Sequence, residues 1–137
     1  MLMTKPINIL HFEDQSLFID MLKKKVAAEF DGKVKSWPNL YNLKRYVENE
    51  YILDKYSAIV CDIMFPKLSA YNCMHELFEL AISGKSIIFY SCIDKKDFEE
   101  EAKSILGIDT LPENFKYVQK ASENNLTKIC DYIRKAI

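Results

Sequence analysis

The 137-residue sequence has few of the residues that build metal cages, disulfide frameworks or redox motifs. Its two histidines are isolated, and its cysteines are scattered without a Cys-x-x-Cys pair, at Cys61, Cys73, Cys92 and Cys130. Zinc sites and thioredoxin-like motifs need such residues at close spacing, so the sequence indicates neither. We expect the cysteines to be reduced thiols.

The chain also lacks an excess of charge and a long apolar run. Its 19 basic and 20 acidic residues leave a net charge of −1, which gives no global field toward nucleic acid or an anionic membrane. Met1 to Pro6 contains no apolar signal core, and no apolar run approaches the length of a membrane span. We therefore expect a cytoplasmic protein that contacts neither nucleic acid nor membrane directly.

The composition is that of a globular protein, with 49% hydrophobic and 28% charged residues. A chain of this length can bury most of its apolar side chains in one core. No linker or low-complexity segment divides it. We predict a single domain over residues 1–137.

Short apolar runs alternate with segments of helical period, and five such repeats follow one another. The runs are too short for helices and predict strands, at Ile7 to Phe12, Val34 to Trp37, Ala58 to Asp62, Ile87 to Tyr90 and Phe115 to Gln119. Strands that alternate with helices are typical of a parallel sheet with helices on both faces. The sequence therefore predicts an α/β domain of this kind.

The predicted helices are marked by apolar residues at steps of three and four. The first runs from Leu17 to Phe30 and ends at Asp31-Gly32, and the second opens at Pro38-Asn39 and runs through Tyr51. The third, fourth and fifth are carried by Met74 to Ile82, Phe98 to Leu106 and Leu126 to Ile133.

Polar side chains follow four of the predicted strands. Glu13-Asp14 follows the first strand, Asp62 ends the third, Ser91 follows the fourth and Lys120 follows the fifth. In an open parallel sheet the carboxyl ends of neighbouring strands share one crevice, so we expect these side chains to meet. The sequence predicts a site there.

Three carboxylates in one crevice repel each other unless a divalent cation or a lysine offsets their charge. Magnesium is bound through few carboxylates and keeps open positions for water and phosphate oxygens, which favours it over calcium. Lys120 and Ser91 could neutralise further oxygens of a phosphoryl group. Asp62 then becomes a candidate nucleophile that forms an aspartyl phosphate.

These residues, in this order, resemble the receiver domain of two-component response regulators, from about Ile7 to about Ile137. Pro66, four positions after Asp62, belongs to the same pattern. The resemblance implies a flavodoxin-like (βα)5 fold with an open parallel sheet in strand order 2-1-3-4-5. It also implies a phosphoacceptor signalling domain, not an enzyme, that assists its own phosphorylation and dephosphorylation.

The resemblance assigns a role to each site residue. Asp62 accepts a phosphoryl group, helped by Lys120 and Ser91, and Mg²⁺ is held by Glu13, Asp14, Asp62 and the backbone carbonyl of Met64. Ser91 and Tyr117 form the conformational switch that follows phosphorylation.

The resemblance also implies partners. The phosphoryl donor is a histidine kinase or a phosphotransfer protein. The output is a protein partner, with a second copy of the chain as a further candidate, at the surface formed by the fourth helix, fifth strand and fifth helix.

The chain departs from the family at Ala70, where glycine is usual, and at Ala121, where proline usually follows the lysine. These departures favour an alternative, a degenerate receiver that binds a protein without phosphorylation. An aspartyl-phosphate hydrolase would need a second acid at Met64, and a flavodoxin would need a Ser/Thr-rich loop in place of Glu13-Asp14-Gln15. The sequence speaks against both.

Overall fold

The computed structural model describes residues 6–137 and has one five-stranded parallel sheet in the order β2-β1-β3-β4-β5. Helices cover both faces, so the predicted α/β fold and its strand order are confirmed. None of the helices within residues 6–137 combines the length and apolar character that a membrane span requires. The expectation about a signal core in Met1 to Pro6 falls almost entirely outside the described residues.

The strands lie close to the predicted runs. They are β1 Asn8–Phe12, β2 Lys33–Trp37, β3 Ala58–Cys61, β4 Ile87–Ser91 and β5 Phe115–Gln119. The helices are α1 Ser16–Phe30, α2 Leu43–Glu48, α3 Glu50–Leu53, α4 Met74–Ile82, α5 Lys95–Leu106 and α6 Asn125–Ala136. A short 3-10 helix, Ala70–Cys73, leads into α4.

The sheet separates two apolar cores because successive strand residues point to opposite faces. One core packs β-strand residues such as Leu10, Ile59 and Phe89 against α2 to α5. The other packs Ile9 and Val60 against α1 and α6. Strands β3 and β4 are buried along their whole length, which is why they read as continuous apolar runs.

The predicted second helix is wrong in extent, because the segment forms the two shorter helices α2 and α3. Asn39 Oδ1 accepts a hydrogen bond from the Tyr41 amide (3.0 Å), which holds a turn before α2 begins. Asn49 separates α2 from α3, and its Oδ1 accepts from the Ile52 amide (3.2 Å). Asparagine side chains compete in this way with the hydrogen bonds of a helix. The spacing of apolar residues does not change at these asparagines, so it could not predict the interruption.

The end of α1 lies where predicted, although Asp31 and Gly32 have unexpected roles. Asp31 takes the left-handed conformation (φ 52°) that often ends a helix. At Gly32 a Cβ atom would lie 2.8 Å from the Ile7 carbonyl oxygen and 3.0 Å from Val26 Cγ1. Gly32 therefore serves the close approach of α1 to the start of β1.

Candidate functional site

The predicted site residues meet at the carboxyl edge of the sheet. The Asp62 amide donates to the Phe12 carbonyl (3.0 Å), which sets the end of β3 beside Glu13. The Lys120 amide donates to the Ser91 carbonyl (2.8 Å), which joins the ends of β5 and β4. The parallel pairing thus continues beyond the strands and brings the polar side chains to one place.

Two carboxylates and one ammonium form a buried ion cluster. Lys120 Nζ lies 2.7 Å from Glu13 Oε1 and 3.1 Å from Asp62 Oδ2. The side chain of Lys120 is only 4% exposed and that of Glu13 is fully buried. Asp62 Oδ1 accepts a hydrogen bond from the Ile63 amide (2.7 Å), so both oxygens of this carboxylate have a partner.

Asp14 joins this cluster from the solvent side. Ligand oxygens of Glu13, Asp14 and Asp62 all lie within 4.8 Å of one another, and Asp14 is exposed. Met64 follows Asp62 at two residues and is 56% exposed. The role of its carbonyl as a metal ligand stays a prediction.

Burial dominates the electrostatics of Glu13. It raises the pKa of this carboxyl to about 7, and the charge of Asp62 acts in the same direction, whereas contact with Lys120 lowers the pKa. The Glu13 amide donates to the Trp37 carbonyl (2.9 Å), and Glu13 Oε2 accepts from the Gln15 amide (3.3 Å). A loop of main-chain bonds therefore holds the carboxylate in a position that water does not reach.

The residues present fit a hard cation. Three carboxylates face one ammonium, which leaves an excess of negative charge when all are ionised. Glu13 Oε1 contacts Lys120 Nζ but has no well-aligned hydrogen bond within the described part of the chain, so it can accept a further partner. Oxygen ligands with one exposed member suit Mg²⁺, which keeps water in its coordination shell.

Ser91 and Tyr117 meet through the loop that follows β4. Ser91 is buried, and its Oγ accepts a long hydrogen bond from the Ile93 amide (3.4 Å). The Tyr117 hydroxyl donates to the Ile93 carbonyl and makes a long contact with the Ser91 carbonyl (3.5 Å). Burial raises the pKa of Tyr117 well above its usual value, so this hydroxyl stays protonated and able to donate.

The structure adds three residues to the predicted site. The Lys120 ammonium lies 4.0 Å from the ring centroid of Phe18 and 5.6 Å from that of Tyr90. His11 is fully buried nearby, and burial, followed by the charge of Lys120, lowers its pKa to about 3. The sequence pattern indicates all three only as members of strands or helices.

A signal for two of these residues, His11 and Tyr90, was present in the strand alternation. His11 lies two positions before Glu13 and shares a face with Ile9, and Tyr90 shares the same face of the sheet as Val60. Burial raises the pKa of Tyr90 to about 12, with the charge of Glu13 as the next cause. Period two thus predicts which face of the sheet these side chains occupy, although not their contacts.

No family model and no curated protein sequence matches this chain. Solved structures do match it. A response regulator receiver domain protein of Clostridium thermocellum is 19% identical, with a TM-score of 0.69 over 96% of this chain and 94% of that one. A response regulator receiver protein of Pseudomonas putida is 11% identical, with a TM-score of 0.70 over 97% and 99% of the two chains.

The response regulator domain of Thermotoga maritima CheB is a third match, 18% identical with a TM-score of 0.65 over 96% of each chain. At such identities the likeness establishes the fold, and it extends over nearly the whole length of both proteins. The chain therefore has the CheY-like fold of response regulator receiver domains.

Proposed function

We propose that residues 1–137 form a single receiver domain that accepts a phosphoryl group on Asp62 from a histidine kinase or phosphotransfer protein. The carrying observation is the contact of Asp62 with Lys120 beside Glu13 and Asp14 at the carboxyl edge of the sheet. One matching structure is of the phosphorylated cyanobacterial phytochrome response regulator RcpA, which supports the same chemistry on this fold.

In the proposed reaction an Asp62 carboxylate oxygen attacks phosphorus, and an acyl phosphate bond forms as the phosphorus–nitrogen bond of phosphohistidine breaks. The electron pair of that bond returns to the imidazole nitrogen, which leaves with a proton from water. The Ile63 amide holds one oxygen of Asp62 (2.7 Å), which orients the carboxylate. Lys120 and Ser91 donate to the oxygens of the transferred group.

Glu13, Asp14, Asp62 and the Met64 carbonyl would hold Mg²⁺. When bound, the ion neutralises charge on the phosphoryl oxygens. The chain's own part is to hold Glu13 desolvated and to keep Asp14 open to solvent. This arrangement lets a cation enter from the exposed side.

We propose that the response passes through Ser91 and Tyr117. A phosphoryl group on Asp62 would offer the Ser91 hydroxyl a charged acceptor, and the hydrogen bond that Ser91 Oγ accepts from the Ile93 amide is long (3.4 Å) and therefore weak enough to be given up. A shift of this loop would release the Tyr117 hydroxyl, which is held by the loop carbonyls. The Tyr117 ring packs on Phe98 of α5 (5.2 Å), so its movement would alter that face.

The surface of α5, β5 and α6 is the proposed site of a downstream protein partner or of a second copy of the chain. A groove of about 350 Å³ lies there, and Tyr117 lines it together with Phe98 and Tyr132. The proposed setting is the cytoplasm. If Tyr117→Ala leaves partner affinity as dependent on phosphorylation as in the wild type, this route is wrong.

The test is the intact mass of the protein after incubation with acetyl phosphate and Mg²⁺. A single phosphoryl adduct is expected in the wild type, none in Asp62→Asn and none with chelator. Asp20→Asn, which changes an exposed aspartate of α1, is the matched control and should label as the wild type does.

An adduct that persists in Asp62→Asn would contradict the proposed acceptor. If no donor labels the wild type, binding of beryllofluoride separates the two remaining functions. Binding that requires Asp62 supports a receiver selective for its own kinase. Absence of binding favours the degenerate receiver suggested by Ala70 and Ala121.

A further inference from the structure

The ammonium of Lys120 is enclosed by groups of two kinds. Two carboxylates approach it, with oxygens at 2.7 Å and 3.1 Å. Two aromatic rings complete the enclosure, with the centroid of Phe18 at 4.0 Å and that of Tyr90 at 5.6 Å. With the side chain of Lys120 4% exposed, these groups take the place of water.

The two rings form separate walls. Phe18 comes from the first turn of α1 and Tyr90 from β4, and their planes stand at 89° with centroids 5.8 Å apart. Neither residue belongs to the strand ends that deliver the carboxylates. We call Phe18 and Tyr90 the aromatic cradle.

The main chain fixes only the base of the lysine. The Lys120 amide donates to the Ser91 carbonyl (2.8 Å), and Asn125 Nδ2 donates to the Lys120 carbonyl (2.7 Å). Four methylene groups lie between this anchor and the ammonium, and a free lysine side chain has about 2 kcal/mol of rotamer entropy. Contacts of the side chain must therefore hold the charged end, and they come from the two carboxylates and from the two rings.

Aromatic rings suit this task because they attract a cation without using its N–H groups. An ammonium has three donors, and a carboxylate that binds it occupies at least one. A ring face attracts the whole charge through its quadrupole and leaves the donors free. With one donor on Glu13 and one on Asp62, the cradle leaves the third available for an anionic ligand beside Asp62.

We propose that Phe18 and Tyr90 are positioning residues that hold the Lys120 ammonium against the Asp62 carboxylate during phosphoryl transfer. This inference rests on the proposed function of Asp62 as phosphoacceptor. It extends that function to residues that touch no reacting atom and act through Lys120.

The test compares Phe18→Leu, which removes the aromatic ring, with Phe18→Tyr, which keeps an aromatic ring at this position. Phe30→Leu is the matched control, since Phe30 is also a partly buried phenylalanine of α1 packed against the core of α1 and α6 and also lies near a cation, Arg134 (5.2 Å). We expect the rate of labelling by acetyl phosphate to fall about tenfold in Phe18→Leu, the order of effect of a desolvated cation–π contact. Phe18→Tyr and Phe30→Leu should retain the wild-type rate.

A second readout does not depend on phosphorylation. The ε-methylene of Lys120 is bonded to the ammonium nitrogen that lies 4.0 Å from the Phe18 centroid, so we expect the NMR signal of its protons to be shifted upfield in the wild type and in Phe18→Tyr. The shift should diminish in Phe18→Leu and persist in Phe30→Leu. A merely structural role for Phe18 would not produce this pattern.

The outcomes separate the two proposals. If the wild type gains the adduct and Phe18→Leu labels at the same rate, the positioning role is wrong and the phosphoacceptor function stands. If the rate falls equally in Phe18→Tyr, the ring is not the cause and the inference is overturned. If the wild type shows the upfield shift but neither gains an adduct nor binds beryllofluoride, the proposed function fails and the positioning role in phosphoryl transfer fails with it.

Discussion

Two glutamates of this protein contact a cation at the same distance and respond in opposite ways. Glu13 lies 2.7 Å from Lys120, and Glu29 lies 2.7 Å from Arg134. Burial raises the pKa of Glu13 to about 7, whereas a hydrogen bond from Lys25 leads the causes that lower the pKa of Glu29. Distance alone therefore does not determine the state of an ion pair.

The difference lies in the surroundings. Glu29 belongs to an exposed network that joins α1 to α6, in which Arg134 also contacts Asp131 at 2.9 Å. Water and salt screen such pairs, so they contribute little to stability. Glu13 and Asp62 share one ammonium in a dry site, where an uncompensated charge is costly. The proposed phosphoryl chemistry belongs to the buried cluster of Glu13, Asp62 and Lys120.

The largest expected effect comes from removing the shared cation. Lys120→Met leaves Glu13 and Asp62 buried without a counter-charge, and loss of one partner from a buried pair is worth roughly 3–5 kcal/mol. We expect the free energy of unfolding, measured in urea at pH 8 with chelator, to fall by about 3 kcal/mol. An unchanged unfolding midpoint would mean that the buried cluster contributes no more to stability than the exposed network does.

An intermediate effect is expected from the pH dependence of His11. Its folded pKa is about 3 against an ordinary 6.5, so the unfolded state binds the proton first and stability falls as the pH drops through this window. Glu13 acts with the opposite sign, because its folded pKa of about 7 lies above the ordinary 4.5 and stability falls as the pH rises between these values. Between pH 4.5 and 6.5 the two slopes oppose each other.

His11→Leu should expose the slope of Glu13. Relative to the wild type, the variant should gain up to roughly 1.4 kcal/mol in unfolding free energy for each pH unit of acidification below 6.5. Urea unfolding at half-unit steps of pH, with chelator present, measures the difference. Parallel curves for the two proteins would mean that His11 is protonated inside the fold.

The smallest effect is expected from Arg134→Met, the same substitution made in the exposed network. Arg134 is 47% exposed and Glu29 is 33% exposed, so water replaces the lost contact. The urea midpoint should match that of the wild type within experimental error, in low and in high salt. A loss as large as that of Lys120→Met would show that the α1–α6 contact depends on this pair.

The sequence was sufficient for the strands and for the residues at their ends. Runs such as Ala58 to Cys61 and Ile87 to Tyr90 are apolar throughout because both faces of these strands are buried, and a parallel sheet then brings the following residues together. The break between α2 and α3 was missed because a side-chain hydrogen bond of Asn49 causes it. The spacing of apolar residues along the sequence does not indicate that hydrogen bond.

The sequence also could not distinguish members of the acid pair. Glu13 and Asp14 are adjacent and read as equivalent, yet the fold buries the first and exposes the second. The cradle of Phe18 and Tyr90 was missed for a related reason, since α1 and β4 meet only in three dimensions. Contacts of this kind depend on how the helices lie across the sheet. The pattern of apolar residues in the strands does not predict that orientation.

The main chain and the side chain of Ser91 have different partners. Its carbonyl accepts the Lys120 amide and so ties β4 to β5, while its hydroxyl points to other partners. The main chain at this position thus supports the sheet, while the side chain is left to the proposed chemistry. Because main-chain atoms join the two strands, the residue type at this strand end can change while the sheet stays intact. The chemical properties of the crevice can therefore be altered by one substitution at a time.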